Sequence, residues 1–286
     1  MTYTTTPYGS PTAPPVCPRH PDRISYVTCQ RCGRPTCPEC ARTAPVGVQC
    51  VDCVAEQAKK QGSAPRVGLG PRGPVVTYAI IGITVLSYLL QVVLPSADWY
   101  DRLIFAPVLG HEGPWRFLTV ALLHGGILHI LMNMWALYAV GPFLEATLGR
   151  ARYIALYVLS ALGGSVLLTV LARGDWDLWR TGNVGASGAV FGLFGAVLVV
   201  LRRTGGNARP MLIVIGINLV FGFVVSGIAW QAHVGGLIVG TALGAAYAYL
   251  PRERRRWGSV GATALAAVLI AAAGSWVYAS TSLSYL

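Results

Sequence analysis

The sequence predicts an all-α polytopic membrane protein of seven transmembrane helices, preceded by a small cysteine-rich head. Three observations carry this. Seven apolar segments of spanning length, or close to it, follow one another between residues 75 and 280. The 286-residue chain is 54% hydrophobic and only 12% charged, far from the balance of a water-soluble protein. All seven cysteines lie between Cys17 and Cys53, so the apolar part has none.

The elements follow in order. Residues 1–16, MTYTTTPYGSPTAPPV, have neither a basic n-region nor an apolar h-region, which argues against a cleavable signal peptide. Their Thr/Pro/Ser composition predicts a disordered tail. Residues 17–53 form the head. Residues 54–73, which contain EQAKKQGSAPRVGLGPRG, read as a flexible basic linker whose charges suit lipid headgroups or topology alike. The spans are expected at 75–94, 127–148, 152–172, 187–201, 211–229, 232–250 and 259–280. Gly227 and the Trp230-Gln231 pair mark the turn between the fifth and sixth, because one span from 211 to 250 would far exceed the bilayer. Residues 74–250 thus hold a six-helix core, and 251–286 add a basic loop and a seventh span.

The formal charge of +11 reflects topology rather than nucleic-acid binding. With a cytoplasmic N-terminus, only Arg102, Arg116, Arg173 and Arg180 of the 22 basic residues face outward, beside Asp98, Asp101, Glu112, Asp175 and Asp177. This is the positive-inside pattern of a multi-pass protein in the plasma membrane of a bacterium.

Polar residues in such spans are costly and usually functional. Ser187 stands in Gly185-Ala186-Ser187-Gly188 at the start of the fourth span, and His233 in Ala232-His233-Val234-Gly235-Gly236 on the sixth. Counting the helical rise from the inner arginines puts Ser187 roughly 22 Å, His233 roughly 28 Å and Asn133 roughly 26 Å up, all in the outer third. Taken alone, Ser187 would read as a serine bonded back to its own helix or gluing two helices, and His233 as a buried hydrogen-bonding residue. Their shared depth favours a nucleophile and its base. His129 and Asn133, at i and i+4 on one face, could donate to one point, as a developing oxyanion requires. The backbone N–H of Ser187 would be a third donor. Gly185, Gly188, Gly192 and Gly195 line the fourth span, and Gly236 and Gly240 form a GxxxG face on the sixth. Small faces of this kind let two helix backbones approach closely.

In this order and spacing, HxxxxHxxxN, GxSG and AHxxGxxxG resemble the rhomboid intramembrane serine proteases, from about Val75 to Leu250. Trp115-Arg116 in the first outer loop is similar to the family's WR motif, Glu145-x3-Gly149 to another recurring position, and the seventh helix to its six-plus-one arrangement. The resemblance implies a serine endopeptidase cutting single-span transmembrane substrates near their outer end, where small or helix-destabilising residues let the backbone unwind. It implies Ser187 as nucleophile, His233 as general base, and His129, Asn133 and the Ser187 N–H as oxyanion donors. His124 is implied to be structural or water-positioning. No carboxylate sits at the depth of His233, so a dyad is expected, with Phe191 stacking on the ring where relatives often carry tyrosine. Val120 stands where some relatives place a histidine. Trp115 and Arg116 also suit interfacial anchoring, and Gly113-Pro114 a loop that partly enters the bilayer. A gate between the second and fifth spans would admit substrate. The alternative is a non-catalytic rhomboid-like receptor or scaffold. A secondary transporter fits less well, because the polar residues lie at the outer level rather than the midplane.

The head carries four metal-ligand pairs: Cys17-x2-His20, Cys29-x2-Cys32, Cys37-x2-Cys40 and Cys50-x2-Cys53. Eight ligands make two tetrahedral sites, and sulfur-rich tetrahedral sites favour Zn²⁺. An odd number of cysteines in a cytoplasmic head argues against disulfides. The pattern is similar to a B-box-type zinc finger, although its later pairs are all cysteine. Spacing leaves open which pairs share an ion, and a cross-brace, first pair with third and second with fourth, is the arrangement chosen among them. No ligand position is left open, so the zinc would be structural and the head a docking module for a cytosolic protein partner.

Overall fold

A computed structural model describes residues 14–44, 47–61, 73–94 and 98–281. The chain divides near residue 66 into two compact units.

The first unit is not purely helical. Strands β1 (Val16–Cys17) and β2 (His20–Ile24) form one antiparallel hairpin, and β3 (Ala41–Thr43) and β4 (Val48–Cys50) form another. Helix α1 (Val51–Gln61) follows. Each hairpin is too short to be stable alone, and the cysteine pairs lie at and around these strands. Two expected boundaries move. The tail reaches into the head, since Val16 pairs with Ile24 and the Ser25 N–H donates to the Pro15 carbonyl at 2.8 Å. The remainder of the expected disordered tail, 1–13, lies outside the described residues. The linker expected from 54 is still helical to Gln61. Glu56, Gln57, Ala58, Lys59 and Lys60 are good helix formers, and Cys53 anchors the first turn of α1 in a cysteine cluster. Residues 62–72 of that linker lie outside the described residues.

The second unit is helical. Its long helices are α2 (Val75–Val93), α6 (Ile127–Leu148), α7 (Arg150–Leu171), α9 (Ser187–Thr204), α10 (Arg209–Val224), α11 (Trp230–Tyr249) and α12 (Arg255–Ser280). They correspond one to one with the seven expected spans. Short helices α3 (Trp99–Leu103), α4 (Pro107–Gly110) and α5 (Arg116–Thr119) fill the loop between α2 and α6, and α8 (Trp176–Arg180) lies between α7 and α9. Among the described residues, α2, α6, α7, α9 and α12 are long and apolar enough to cross a membrane. The 16-residue α10 is shorter. The 20-residue α11 is long enough, but glycine, Gln231 and His233 dilute its hydropathy. A helix packed against α7 and α9 has little need of an apolar surface for lipid.

The fifth span ends at Val224 rather than 229, and the chain turns at Gly227, whose φ of 84° suits glycine. Trp230 and Gln231, expected in that turn, are the first residues of α11.

Close backbone approach organises the centre. A methyl group on Gly236 would overlap the carbonyl of Gly188, and one on Gly240 would overlap the backbone of Gly192. Gly235 faces the carbonyl of Gly163 on α7, and Gly164 that of Ala232. These glycines thereby stand where side chains would hold the three helices apart.

Glu145, buried near the end of α6, has a specific structural role. Oε1 accepts the Val76 N–H at 3.0 Å, and Oε2 accepts the Thr77 N–H and hydroxyl at 2.9 Å each. It caps the first turn of α2 from another helix, with Arg150 at 3.5 Å completing the group. Glu145→Gln removes the charge and one acceptor oxygen. The thermal midpoint in detergent should fall by the equivalent of about 1.5–3 kcal/mol, and an unchanged midpoint contradicts the capping role.

Candidate active site and metal clusters

Ser187 is the first residue of α9, where the N–H groups of the first turn lack intrahelical partners. The segment before it is pinned twice. Asn183 pairs with Phe105 in an isolated antiparallel bridge, and the Gly185 N–H donates to the Val120 carbonyl at 3.0 Å. Gly185 has a φ of 131°, and a methyl group there would lie 2.9 Å from Nε2 of His129. Glycine is needed at 185 both for its backbone conformation and to let the His129 ring approach.

His233 Nε2 lies 2.8 Å from Ser187 Oγ. The sequence separation of 46 is bridged by the α9–α11 glycine contacts described above. When Nε2 accepts the hydroxyl proton, the neutral ring carries its own proton on Nδ1. Nδ1 has no hydrogen-bond partner among the described residues. Phe191, one turn below Ser187, stacks on the ring with centroids 4.3 Å apart and planes at 11°. The ring is therefore oriented by stacking rather than by a carboxylate.

His129 and Asn133 line the same cavity, which has a volume of about 910 Å³. The Gly125 N–H donates to His129 Nδ1 at 3.4 Å, so a neutral ring carries its proton on Nε2, the nitrogen beside Gly185. Asn133 Nδ2 donates to the His129 carbonyl at 2.9 Å, leaving its second proton free to donate elsewhere. The cavity runs on between α6 and α10, with Met132 and Trp135 on one side and Ile217 and Phe221 on the other.

His124 is fully buried, and neither ring nitrogen has a partner among the described residues. Its ring meets that of His129 edge-on at 5.0 Å. Its backbone is held at both polar groups by Gln91 of α2, with Nε2 donating to the carbonyl at 2.8 Å and Oε1 accepting the N–H at 3.2 Å. Sequence reasoning misses Gln91, although a signal exists: it is a lone carboxamide in an otherwise apolar span. The backbone role of Val120 leaves no trace in residue type.

Trp115 is 54% exposed, as an interfacial anchor would be, and its Nε1–H donates to the Arg102 carbonyl at 3.1 Å. Arg116 does more than anchor. It donates to the carbonyls of Asp101 at 2.6 Å and Ile104 at 2.9 Å, stapling the loop between α2 and α6 to itself. Gly113 leaves room for that guanidinium chain.

In the head, Cys17, His20, Cys37 and Cys40 form one cluster, and Cys29, Cys32, Cys50 and Cys53 the other, each with ligand atoms within 4.8 Å of one another. This is the cross-brace. All seven cysteines are free thiols. The spacings fit a tetrahedral ion: zinc–sulfur bonds of about 2.3 Å set sulfurs about 3.8 Å apart, and Cys32 and Cys50 are at 3.8 Å. His20 Nδ1 lies 3.3 Å from the Cys37 sulfur and 3.4 Å from that of Cys40. Its Nε2 faces Glu39 at 3.8 Å, and Glu39 pairs with Arg23 at 2.7 Å, a chain that would orient this ring as a metal ligand. The N–H of Cys37 draws the Cys17 thiol down to about 6, whereas burial and the neighbouring sulfurs push Cys40 up to about 11. A cation at the centre would relieve that crowding.

A Rhomboid domain family model matches residues 111–250. The chain is 34% identical over 212 residues to the rhomboid protease GluP of Bacillus subtilis (strain 168), covering 70% of this chain and 39% of that protein. It is 36% identical over 157 residues to RHOMBOID-like protein 4 of Arabidopsis thaliana, covering 52% and 37%. With the putative rhomboid protease YdcA of Bacillus subtilis it shares 34% over 148 residues, 50% of this chain and 71% of that protein. The chain spans less than half the length of the first curated relatives it matches. With the Ser187–His233 contact, the glycine-packed helices and these matches together, the chain belongs to the rhomboid family.

Proposed function

We propose that this multi-pass membrane protein is an intramembrane serine endopeptidase that cleaves single-span transmembrane substrates near their outer end. The observation that carries the reading is the 2.8 Å contact between Ser187 Oγ and His233 Nε2 inside a cavity at the head of α9. Ser187 Oγ attacks the carbonyl carbon of an unwound substrate segment, and its proton passes to His233 Nε2. The carbonyl oxygen becomes an oxyanion, received by His129 Nε2–H, Asn133 Nδ2–H and the Ser187 N–H. His233 then gives its proton to the leaving amine. In the second half, water attacks the acyl-enzyme with His233 again as base, and Ser187 is regenerated. While His233 is an imidazolium, the Phe191 face 4.3 Å away supplies electrostatic support in place of a carboxylate.

Gly185, Gly188, Gly236 and Gly240 act by position, letting α9, α11 and His129 converge. His124, Gln91, Trp115, Arg116 and Glu145 support the frame. Substrate enters from the bilayer between α6 and α10, where Met132 and Trp135 face Ile217 and Phe221 across the cavity. The distribution of basic residues supports an orientation with the N-terminus and head on the cytoplasmic side of a bacterial plasma membrane and the cavity toward the outer leaflet.

The test is reconstitution in liposomes with a panel of single-span substrates carrying small residues near their outer end. Mass spectrometry should find a single cut inside the span, toward that end. Substrates that all stay intact in the presence of folded protein contradict the reading and favour a non-catalytic scaffold.

The head is proposed to hold two structural Zn²⁺ ions, through Cys17, His20, Cys37 and Cys40 and through Cys29, Cys32, Cys50 and Cys53, and to dock a cytosolic protein. Elemental analysis of protein purified without added metal should find two zinc ions per chain. His20→Ala should lower that to one. Zinc-free protein with a folded head contradicts the proposal.

A further inference from the structure

We infer that Tyr278, on the seventh helix, is a positioning residue for the site, holding the segment from which Ser187 projects. The inference rests on the reading of Ser187 as nucleophile.

Tyr278 lies near the outer end of α12, far in sequence from the dyad. Its hydroxyl donates to the Pro107 carbonyl at 2.8 Å. Its ring meets Phe117 edge-on at 6.4 Å and the fully buried Trp179 edge-on at 5.9 Å. Gly110 has no room for a methyl group because the Tyr278 hydroxyl occupies that space.

These contacts fall on both arms of one small structure. Pro107 stands two residues after Phe105, and Trp179 four residues before Asn183. Phe105 and Asn183 exchange both backbone hydrogen bonds, with Asn183 N–H to the Phe105 carbonyl at 2.6 Å and the reverse at 3.3 Å. Phe117, 4.6 Å from Phe105, closes the cluster. From Asn183 the chain runs through Gly185, where His129 is seated, to Ser187. Tyr278 thus clamps the two strands of a two-residue bridge that has no sheet around it, and an isolated pairing of that size does not hold its own register. Arg173 fixes the same end of α12, over the Trp276 ring at 4.6 Å and to the Ser280 carbonyl at 3.3 Å. The seventh helix therefore adds a support to those that the six-helix core supplies through Val120 and Arg116.

Tyr278→Phe removes only the hydroxyl, and Tyr278→Leu also removes the ring contacts. Tyr247→Phe is the control, since its hydroxyl meets Thr263 of α12 at 2.6 Å on a part of that helix that does not touch the bridge. With rates expressed per active site, Tyr278→Phe should lower kcat about 3–10-fold and Tyr278→Leu about 30-fold or more, with KM unchanged. Tyr247→Phe should stay within about twofold of the parent protein even where its melting temperature falls as far. Hydrogen exchange gives a readout that needs no activity. Peptides covering 105–107 and 181–187 should lose protection at least tenfold in Tyr278→Leu and keep it in Tyr247→Phe. Equal losses in both variants, or unchanged exchange at 181–187, overturn the inference. A parent protein that fails to cleave while the exchange pattern holds counts against the peptidase reading alone.

Discussion

Ser187→Ala and His233→Ala will each lower substrate cleavage by about 10⁴-fold or more while the protein stays folded. The loss is large because the two groups act as one unit: Oγ is a poor nucleophile unless Nε2, 2.8 Å away, takes its proton. The double variant should then be no slower than either single one, since removing half of the unit already removes the whole. Multiplying losses would mean that the two residues act independently, contrary to the dyad. Folding should survive both changes. Ser187 sits at a helix start rather than in the packed centre, and His233 faces the cavity. His129→Ala should cost less, about 10²–10³-fold, because other oxyanion donors remain. The measurement is the initial rate on a single-span substrate in liposomes, normalised to folded protein.

Gly236→Val and Gly240→Val will have effects as large, through structure rather than chemistry. The added carbons would overlap the Gly188 carbonyl and the Gly192 backbone. A flexible side chain can move aside, but two helix backbones can only separate, and α9 then carries Ser187 away from His233. The expected result is loss of monodisperse folded protein, with no activity in any fraction that survives. Gly216→Ala and Gly261→Ala are the matched controls, because nothing lies within 4 Å of a methyl group at either position. Both should leave yield and melting temperature unchanged or slightly raised, as glycine to alanine in an open helix position does. Size-exclusion profiles and thermal melts of the four variants decide the point.

The positions that can be read from sequence are those where residue type itself is costly in its surroundings. An ionisable or polar group in a span is conspicuous, so Ser187, His129, Asn133 and His233 stand out, and charge asymmetry and helical rise put them at one level. The glycine faces are legible as small residues repeating along one side of the fourth and sixth spans, a pattern that lets helix backbones approach. The ligand pairs of the head announce two candidate metal clusters, but spacing leaves open which pairs combine, and the fold brings the first with the third and the second with the fourth. What cannot be read is carried by backbone groups or by distant partners. The Val120 carbonyl that receives Gly185, and the Phe105–Asn183 bridge, have no residue signature. Glu145 is visible as a motif position, but its caps on Val76 and Thr77 span a sequence distance of 69 and 68 residues. The boundary at Val224 is hidden because Val225, Ile228 and Ala229 continue an apolar run through a turn made by Gly227. The tail and linker edges move because strand pairing at Val16 and a cysteine-anchored helix override composition at the margins of the head.

The central claim is that Ser187 is a nucleophile activated by His233, and covalent labelling tests it most directly. Folded protein in detergent is treated with a fluorophosphonate, and the adduct is located by peptide mass spectrometry. The account predicts one adduct, on Ser187, absent in Ser187→Ala and formed at least 10²-fold more slowly in His233→Ala. A parent protein that stays unlabelled at Ser187, or a His233→Ala variant labelled at the parental rate, would contradict it.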